Sequence, residues 1–99
     1  MSVYYVYILE TTANNGRRSY YTGYTNDLYR RVSEHKKGKG ARYCRGKKKI
    51  ELKYFETYTE RKKAMRRELE IKSLSRLKKK ELVEDFLNKS DNIIDDSVV

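Results

Sequence analysis

Residues Val3 to Leu9 read VYYVYIL, with no glycine, proline or charge. A run of β-branched and aromatic residues with no polar face predicts a strand buried on both sides, and the core is expected to begin there. At 99 residues the chain can build one core and not two. Ten of its apolar residues are tyrosines, whose rings pack while their hydroxyls stay wet, so the core is expected to be small and aromatic.

The rest of the chain organises around that strand. Asn14, Asn15 and Gly16 supply turn chemistry, and Ser19 to Tyr24 is again aromatic and extended, which predicts an antiparallel hairpin with Tyr7 and Tyr21 on neighbouring strands. Thr25, Asn26 and Asp27 offer helix caps, and Leu28, Val32 and His35 follow at helical spacing, giving a helix from about Asp27 to Lys36. From Lys36 to Lys49 three glycines are interleaved with eight basic residues, a composition expected of a mobile, solvated loop with Cys44 as a bystander in it. Glu51 to Thr57 reads as a third strand. A helix over Glu60 to Lys72 is expected to bury Ala64, Leu69 and Ile71, and Ser75 is placed to cap a last helix reaching Leu87, with Val83, Phe86 and Leu87 on one face. After Asn88 the chain is polar and acidic and is expected to fray.

Charge narrows the function. Lysines and arginines number 24 against 14 acidic residues, a net charge of +10 and a pI near 9.7, which calls for an anionic partner. The single cysteine excludes an intrachain disulfide and a cysteine-based zinc cluster, and the single histidine excludes a multi-histidine metal site. No apolar run is long enough to cross a bilayer and the N-terminus lacks the order of a signal peptide, so an intracellular protein is expected, in the cytoplasm, nucleoid or nucleus.

Val6-Tyr7-Ile8, then Tyr21-Thr22-Gly23, Asn26-Asp27-Leu28 and Arg30-Arg31, with His35 one helical turn further on, resembles the pattern of the GIY-YIG nuclease superfamily. Gly38-Lys39-Gly40-Ala41-Arg42-Tyr43 and Ala64-Met65-Arg66-Arg67-Glu68 with Ile71-Lys72 look like its short, single-domain branch. The resemblance implies an α+β fold, a small three-stranded antiparallel sheet flanked by helices. Residues 1–88 would form the nuclease-like domain and 89–99 an acidic, flexible tail. It further implies a metal-dependent endonuclease that hydrolyses phosphodiester bonds of nucleic acid, DNA before RNA, in a setting such as repair or recombination.

By the same resemblance, Tyr7 and Tyr21 match the motif tyrosines, Arg31 the arginine ten positions after the second, Glu68 the metal-binding carboxylate and His35 a histidine of several branches. Their chemistry suits those places. Glu68 is a hard oxygen ligand for one Mg²⁺ or Mn²⁺. Arg31 is permanently charged and forks onto two phosphate oxygens. Tyr7 is favoured as the general base, with Tyr21 orienting water or phosphate, and the reverse assignment is open. His35 is placed to bond the phosphate or share the base role. The first motif lacks its glycine, Thr22 stands where the second has isoleucine, and Tyr24 stands where the excision-repair branch has lysine. The hairpin between the motifs is longer than usual for the family.

The basic segment supplies Lys36, Lys37, Lys39, Arg42, Tyr43, Arg45, Lys47, Lys48 and Lys49 as candidate nucleic-acid contacts, with Tyr43 as a base-stacking ring among cations. Two other functions fit the same composition. One is a basic binding module that cuts slowly or not at all. The other is an accessory subunit whose protein partner supplies specificity.

Overall fold

The computed structural model describes residues 2–89. The expected fraying of the acidic tail falls outside them. Strands β1 (Tyr4–Thr12), β2 (Arg18–Thr25) and β3 (Lys49–Tyr58) form one antiparallel sheet in the order β2-β1-β3. Three helices flank it: α1 (Leu28–Lys36), α2 (Arg61–Lys72) and α3 (Arg76–Asn88), with a short 3₁₀ turn over Arg42–Cys44. This is the α+β architecture that the sequence predicts.

The VYYVYIL run is the central strand. Val6, Tyr7, Ile8 and Leu9 are all buried, because β1 has a strand on each edge and helices on each face. The two-residue pleat divides them. Val6 and Ile8 point into a core with Tyr54 from β3, Ala64 and Ile71 from α2, and Val83 and Phe86 from α3. Tyr7 and Leu9 point the other way, onto Val32 of α1, Cys44 of the 3₁₀ turn, and Ile50 and Leu52 of β3. Each fully buried aliphatic side chain contributes roughly 1.5–3 kcal/mol. β1 thus anchors two cores at once.

Local chemistry sets the ends of the elements. Of the three candidate caps, Asp27 is the one used, its carboxylate accepting from the Arg30 amide at 3.1 Å. Ser75 caps α3 by accepting from the Lys78 amide at 3.2 Å. Along β1 and β3 the register slips between Ile8 and Leu9, a bulge that lets Lys53 sit without a partner in the ladder.

Two apolar expectations fail. Leu69 and Leu87 are both exposed, because Ala64 and Ile71 already fill the space under α2 and Val83 and Phe86 that under α3. The segment between α1 and β3 also differs from a featureless solvated loop. Its 3₁₀ turn inserts Cys44 into the core beside Tyr7, so that cysteine is packing and no bystander.

On the outer side of β3, Glu56 accepts from the Nε and Nη2 of Arg67 at 3.0 Å each, from the Tyr58 hydroxyl at 2.5 Å, and from the Tyr54 hydroxyl. Arg67 on α2 is thereby tied to the sheet, and its neighbour Glu68 is held in place with it.

Candidate active site

Four of the five candidate residues gather where β1, β2 and α1 meet. The Tyr7 side chain crosses from the central strand toward β2, where its cross-strand neighbour is Gly23. A Cβ built on Gly23 would lie 2.5 Å from the Tyr7 hydroxyl oxygen and 2.7 Å from Cζ, so only a glycine leaves room for the phenol there. The glycine of the second motif is therefore a cradle for the tyrosine of the first.

His35 reaches the same hydroxyl from α1, with Nε2 2.9 Å from Tyr7 Oη. Its other nitrogen, Nδ1, accepts from the Ala41 backbone N–H at 3.2 Å. An Nδ1 that accepts carries no proton, so in the neutral ring the proton is on Nε2 and is donated to Tyr7. Burial pushes the His35 pKa down to about 4, and the nearby Arg31 charge lowers it further against Glu34, so the ring is neutral at pH 7. Gly40 makes the arrangement possible, since a Cβ there would stand 2.3 Å from Nδ1. With no exposed surface, His35 addresses Tyr7 and not solvent.

Burial raises the pKa of the Tyr7 phenol above its usual range, and Tyr21 adds to this, while hydrogen bonding and charge from Arg31 pull it down. Tyr21 lies at the more open side of the cluster, its ring 6.5 Å from that of Tyr7 and 5.3 Å from that of His35, edge to face with the imidazole. Its pKa is also raised, first by burial and then by Cys44, with Arg31 lowering it and the Glu68 carboxylate raising it. Glu68 is thus within electrostatic reach of Tyr21, although it comes from α2 on the other face of the sheet. The guanidinium of Arg31 is held by Glu34 at 3.2 Å, and both side chains are over a third exposed.

The Glu68 side chain is only 15 % exposed and its single ion pair among the described residues is with Lys72 at 3.5 Å. No group of three or more histidine, cysteine, aspartate or glutamate side chains gathers among the described residues. One hard carboxylate fits a magnesium-type ion, which keeps several waters and takes one or two protein oxygens. Glu68 would hold such an ion.

The basic segment divides into several surfaces. Lys36, Lys47, Lys48 and Lys49 line one open cleft of about 370 Å³ with Ile50 and Glu51, while Lys37, Lys39, Arg42 and Arg45 stand exposed around it. Lys49 is 3.4 Å from Glu51. Tyr43 does not offer a bare ring: it stacks on Tyr21 at 5.8 Å and 24°, carries the Lys47 ammonium 4.9 Å from its centroid, and donates its hydroxyl to Ser19 Oγ at 2.6 Å. Ser19 Oγ is in turn 2.9 Å from Thr11 Oγ1. This chain of hydroxyls pins the 3₁₀ turn to β1 and β2.

A second open cleft, of about 430 Å³, lies beside the cluster and is lined by Tyr4, Tyr24, Thr25, Asn26, Arg31 and Arg61. Arg61 donates to the Tyr24 hydroxyl from Nε at 3.4 Å and Nη2 at 3.3 Å. A cation therefore stands over the position where the sequence has tyrosine instead of lysine. Arg61 carries no signal in the sequence, and Gly40 and Ala41 stand there only as part of the branch pattern, with no role attached.

The GIY-YIG catalytic domain model matches residues 3–81, which takes in every residue of this cluster. The chain belongs to the GIY-YIG family. A UPF0213 protein of Haloquadratum walsbyi is 48% identical over 82 residues, covering 83% of this chain and 88% of that protein. The UPF0213 protein YazA of Bacillus subtilis is 39% identical over 75 residues, 76% of each. The solution NMR structure of the UPF0213 protein BH0048 from Bacillus halodurans superposes with a TM-score of 0.53 at 42% identity, covering 91% of this chain and 92% of that one. GIY-YIG domains are nuclease domains, so nucleic acid is the substrate class. Among the described residues no helix is long and apolar enough to cross a membrane.

Proposed function

We propose that this GIY-YIG domain is a metal-dependent endonuclease that hydrolyses the phosphodiester backbone of DNA, with Tyr7 as general base. The observation that carries the reading is the Tyr7 hydroxyl, held over the bare backbone of Gly23 by the Nε2–H of His35. Burial holds the Tyr7 phenol protonated in the free protein, and a phenol acts as a base only once ionised; two groups here work toward the ionised form. His35 donates a hydrogen bond that strengthens as the oxygen becomes negative, and Arg31 supplies charge. Tyr21 lacks a hydrogen bond from His35 and lies at the more open side of the cluster, which suits it to orienting water or phosphate. His35 is read as a positioning donor and not as a base, since its free nitrogen is already committed to the Ala41 amide.

In the proposed reaction Tyr7 first loses its phenolic proton to solvent; a water oxygen then bonds to phosphorus as its proton passes to the Tyr7 phenolate, and the bond from phosphorus to the leaving oxygen breaks as that oxygen takes a proton from solvent. Arg31 turns from Glu34 onto the phosphate oxygens as their charge grows. A half-exposed ion pair of this kind is worth at most about 1 kcal/mol, so its release is not a barrier. When bound at Glu68, Mg²⁺ or Mn²⁺ supplies Lewis-acid stabilisation of phosphate charge and a more acidic water.

A cleavage assay tests this. Wild type and Glu68→Ala are compared on single-stranded, duplex and branched DNA and RNA with Mg²⁺, Mn²⁺ or EDTA. Cutting is expected to require metal and to vanish in Glu68→Ala, and Tyr7→Phe is expected to fall by about 10²–10⁴ in kcat, more than Tyr21→Phe. Unchanged cutting by rigorously purified Glu68→Ala protein sinks the reading. No cutting on any substrate, with salt-sensitive binding intact, replaces it with a basic binding module.

A further inference from the structure

Cations on α3 fall into two sets. Lys78 pairs with Glu81 at 3.6 Å and Lys80 with Glu84 at 4.0 Å on the outer side. Arg76 and Lys79, one helical turn apart, have no ion pair among the described residues and instead line a groove of about 180 Å³ with Ser19 and Tyr20 of β2. Two more cations without an ion pair among the described residues, Arg17 and Arg18, lie at the start of that strand. Burial is the main cause raising the Tyr20 pKa, and Arg76 and Arg18 lower it against Glu10 and Glu84, so both arginines lie around that ring together with the two carboxylates.

A neighbouring groove of about 310 Å³ is lined by Ala13, Arg17, Ser19, Tyr43 and Lys47, and Ser19 belongs to both. The basic surface is therefore continuous around the hairpin end, from the 3₁₀ turn on one face of the sheet to α3 on the other. The first turn of α3 carries no acidic residue, so the positive end of its dipole is not neutralised there. At the opposite end of β2 lies the cleft with Arg31 and Arg61. Between the two ends runs the edge of β2, with no further strand beside it among the described residues.

We infer that the hairpin end of β2, with Arg17, Arg18, Arg76 and Lys79, is a second phosphate-binding surface, separate from the catalytic cluster, that holds nucleic acid flanking the bond to be cut. This rests on the proposed nuclease reading. Four residue steps of strand lead from Ser19 to Gly23, about 13 Å at roughly 3.3 Å per step. That distance corresponds to about 4 base-pair steps of 3.4 Å. The longest dimension of the protein is 39 Å, which equals about 11 such steps. A short substrate can fill the catalytic cluster alone, whereas a long one reaches both surfaces. The partner is a phosphate backbone and not a base sequence, because the surface presents charge with little hydrogen-bonding variety.

The test is binding and cutting of a trinucleotide and a 24-bp DNA duplex (about 2 and about 24 steps, chosen below and above the separation of about 4 steps) by wild type and by Arg17→Ala/Arg76→Ala/Lys79→Ala. Affinity is read by fluorescence anisotropy in EDTA across a salt series, and cutting is read with Mg²⁺. The triple variant is expected to bind the long duplex roughly tenfold more weakly, with the slope of log K against log salt reduced by about 2 to 3, while binding and cutting of the trinucleotide are unchanged. The charge-keeping variant Arg17→Lys/Arg76→Lys/Lys79→Arg is expected to behave as wild type, which separates lost charge from lost fold. Equal affinity and slope for the long duplex in wild type and triple variant overturn the inference. So does binding of poly-glutamate as tight as that of the duplex and dependent on the same three side chains. Absence of cutting by every protein, with the long-duplex defect present, refutes the nuclease reading and leaves this surface standing.

Discussion

His35 has its ring nitrogens divided between a main-chain amide and the Tyr7 hydroxyl proposed as base, and that division has a cost in stability. Its pKa is pushed down to about 4 in the folded protein from the usual 6.5. Between these values the unfolded chain binds the proton and the folded one does not, so stability is complete above about pH 6.5 and is lost as pH falls toward 4. The loss is of order 3 kcal/mol at most, from about 1.4 kcal/mol per pH unit. Thermal melts of wild type and His35→Gln from pH 4 to 7 check it: the gap between the curves is expected to narrow on acidification. A pH-independent gap rules out the buried neutral ring. Thr22 makes the opposite point. Its hydroxyl is the one buried side-chain polar atom without a partner among the described residues. Thr22→Val keeps the shape and removes that atom, so the melting temperature is expected to hold or rise, by up to about 1–2 kcal/mol of stability. A loss of stability would show that the hydroxyl has a partner such as a bound water.

Strand β2 is an element whose side chains are subordinate to its neighbour's. At Gly23 its lack of a side chain is what the site requires, so Gly23→Ala is expected to displace the Tyr7 hydroxyl, lower kcat by 10²-fold or more, and destabilise the fold by about 1–3 kcal/mol through overpacking. Circular dichroism with a cleavage assay separates the two effects; full activity in a folded Gly23→Ala protein would mean that Tyr7 is not held where the chemistry needs it. The elements themselves were legible from sequence because each has a one-dimensional signature: the apolar run of β1, the carboxylate cap of Asp27, the hydroxyl cap of Ser75. The burial of Leu69 and Leu87 was misread because helical spacing gives a face but not the volume available beneath it. The packing roles of Cys44 and Gly40 are not legible in the sequence for a related reason. Their roles depend on contact with residues distant in sequence, Tyr7 and His35, and no local pattern encodes those contacts. Motif spacing did bring Tyr7, Tyr21, Arg31 and His35 to one place, since a hairpin and the helix after it have little freedom in how they meet.

At the level of the whole molecule, the sheet separates the two halves of the proposed chemistry. Tyr7, Arg31 and His35 belong to the α1 side, and Glu68 to α2 on the other, joined around the open edge of β2. Ion binding at Glu68 is therefore expected to tie α2 to the rest of the fold. Mg²⁺ at about 100 times its Kd would add about 2.7 kcal/mol to stability. Calorimetry in Mg²⁺ and in EDTA is expected to show this rise in wild type and not in Glu68→Ala; an equal rise in both places the ion elsewhere. The buried thiol of Cys44 has a further use. It is shut beneath the 3₁₀ turn, and burial pushes its pKa up to about 11, so a thiol reagent can react only when that turn lifts away. With no other cysteine in the chain to confuse the signal, the rate of its alkylation becomes a clock for how often the floor of the site opens. A nucleic acid bound across the turn is expected to slow that clock.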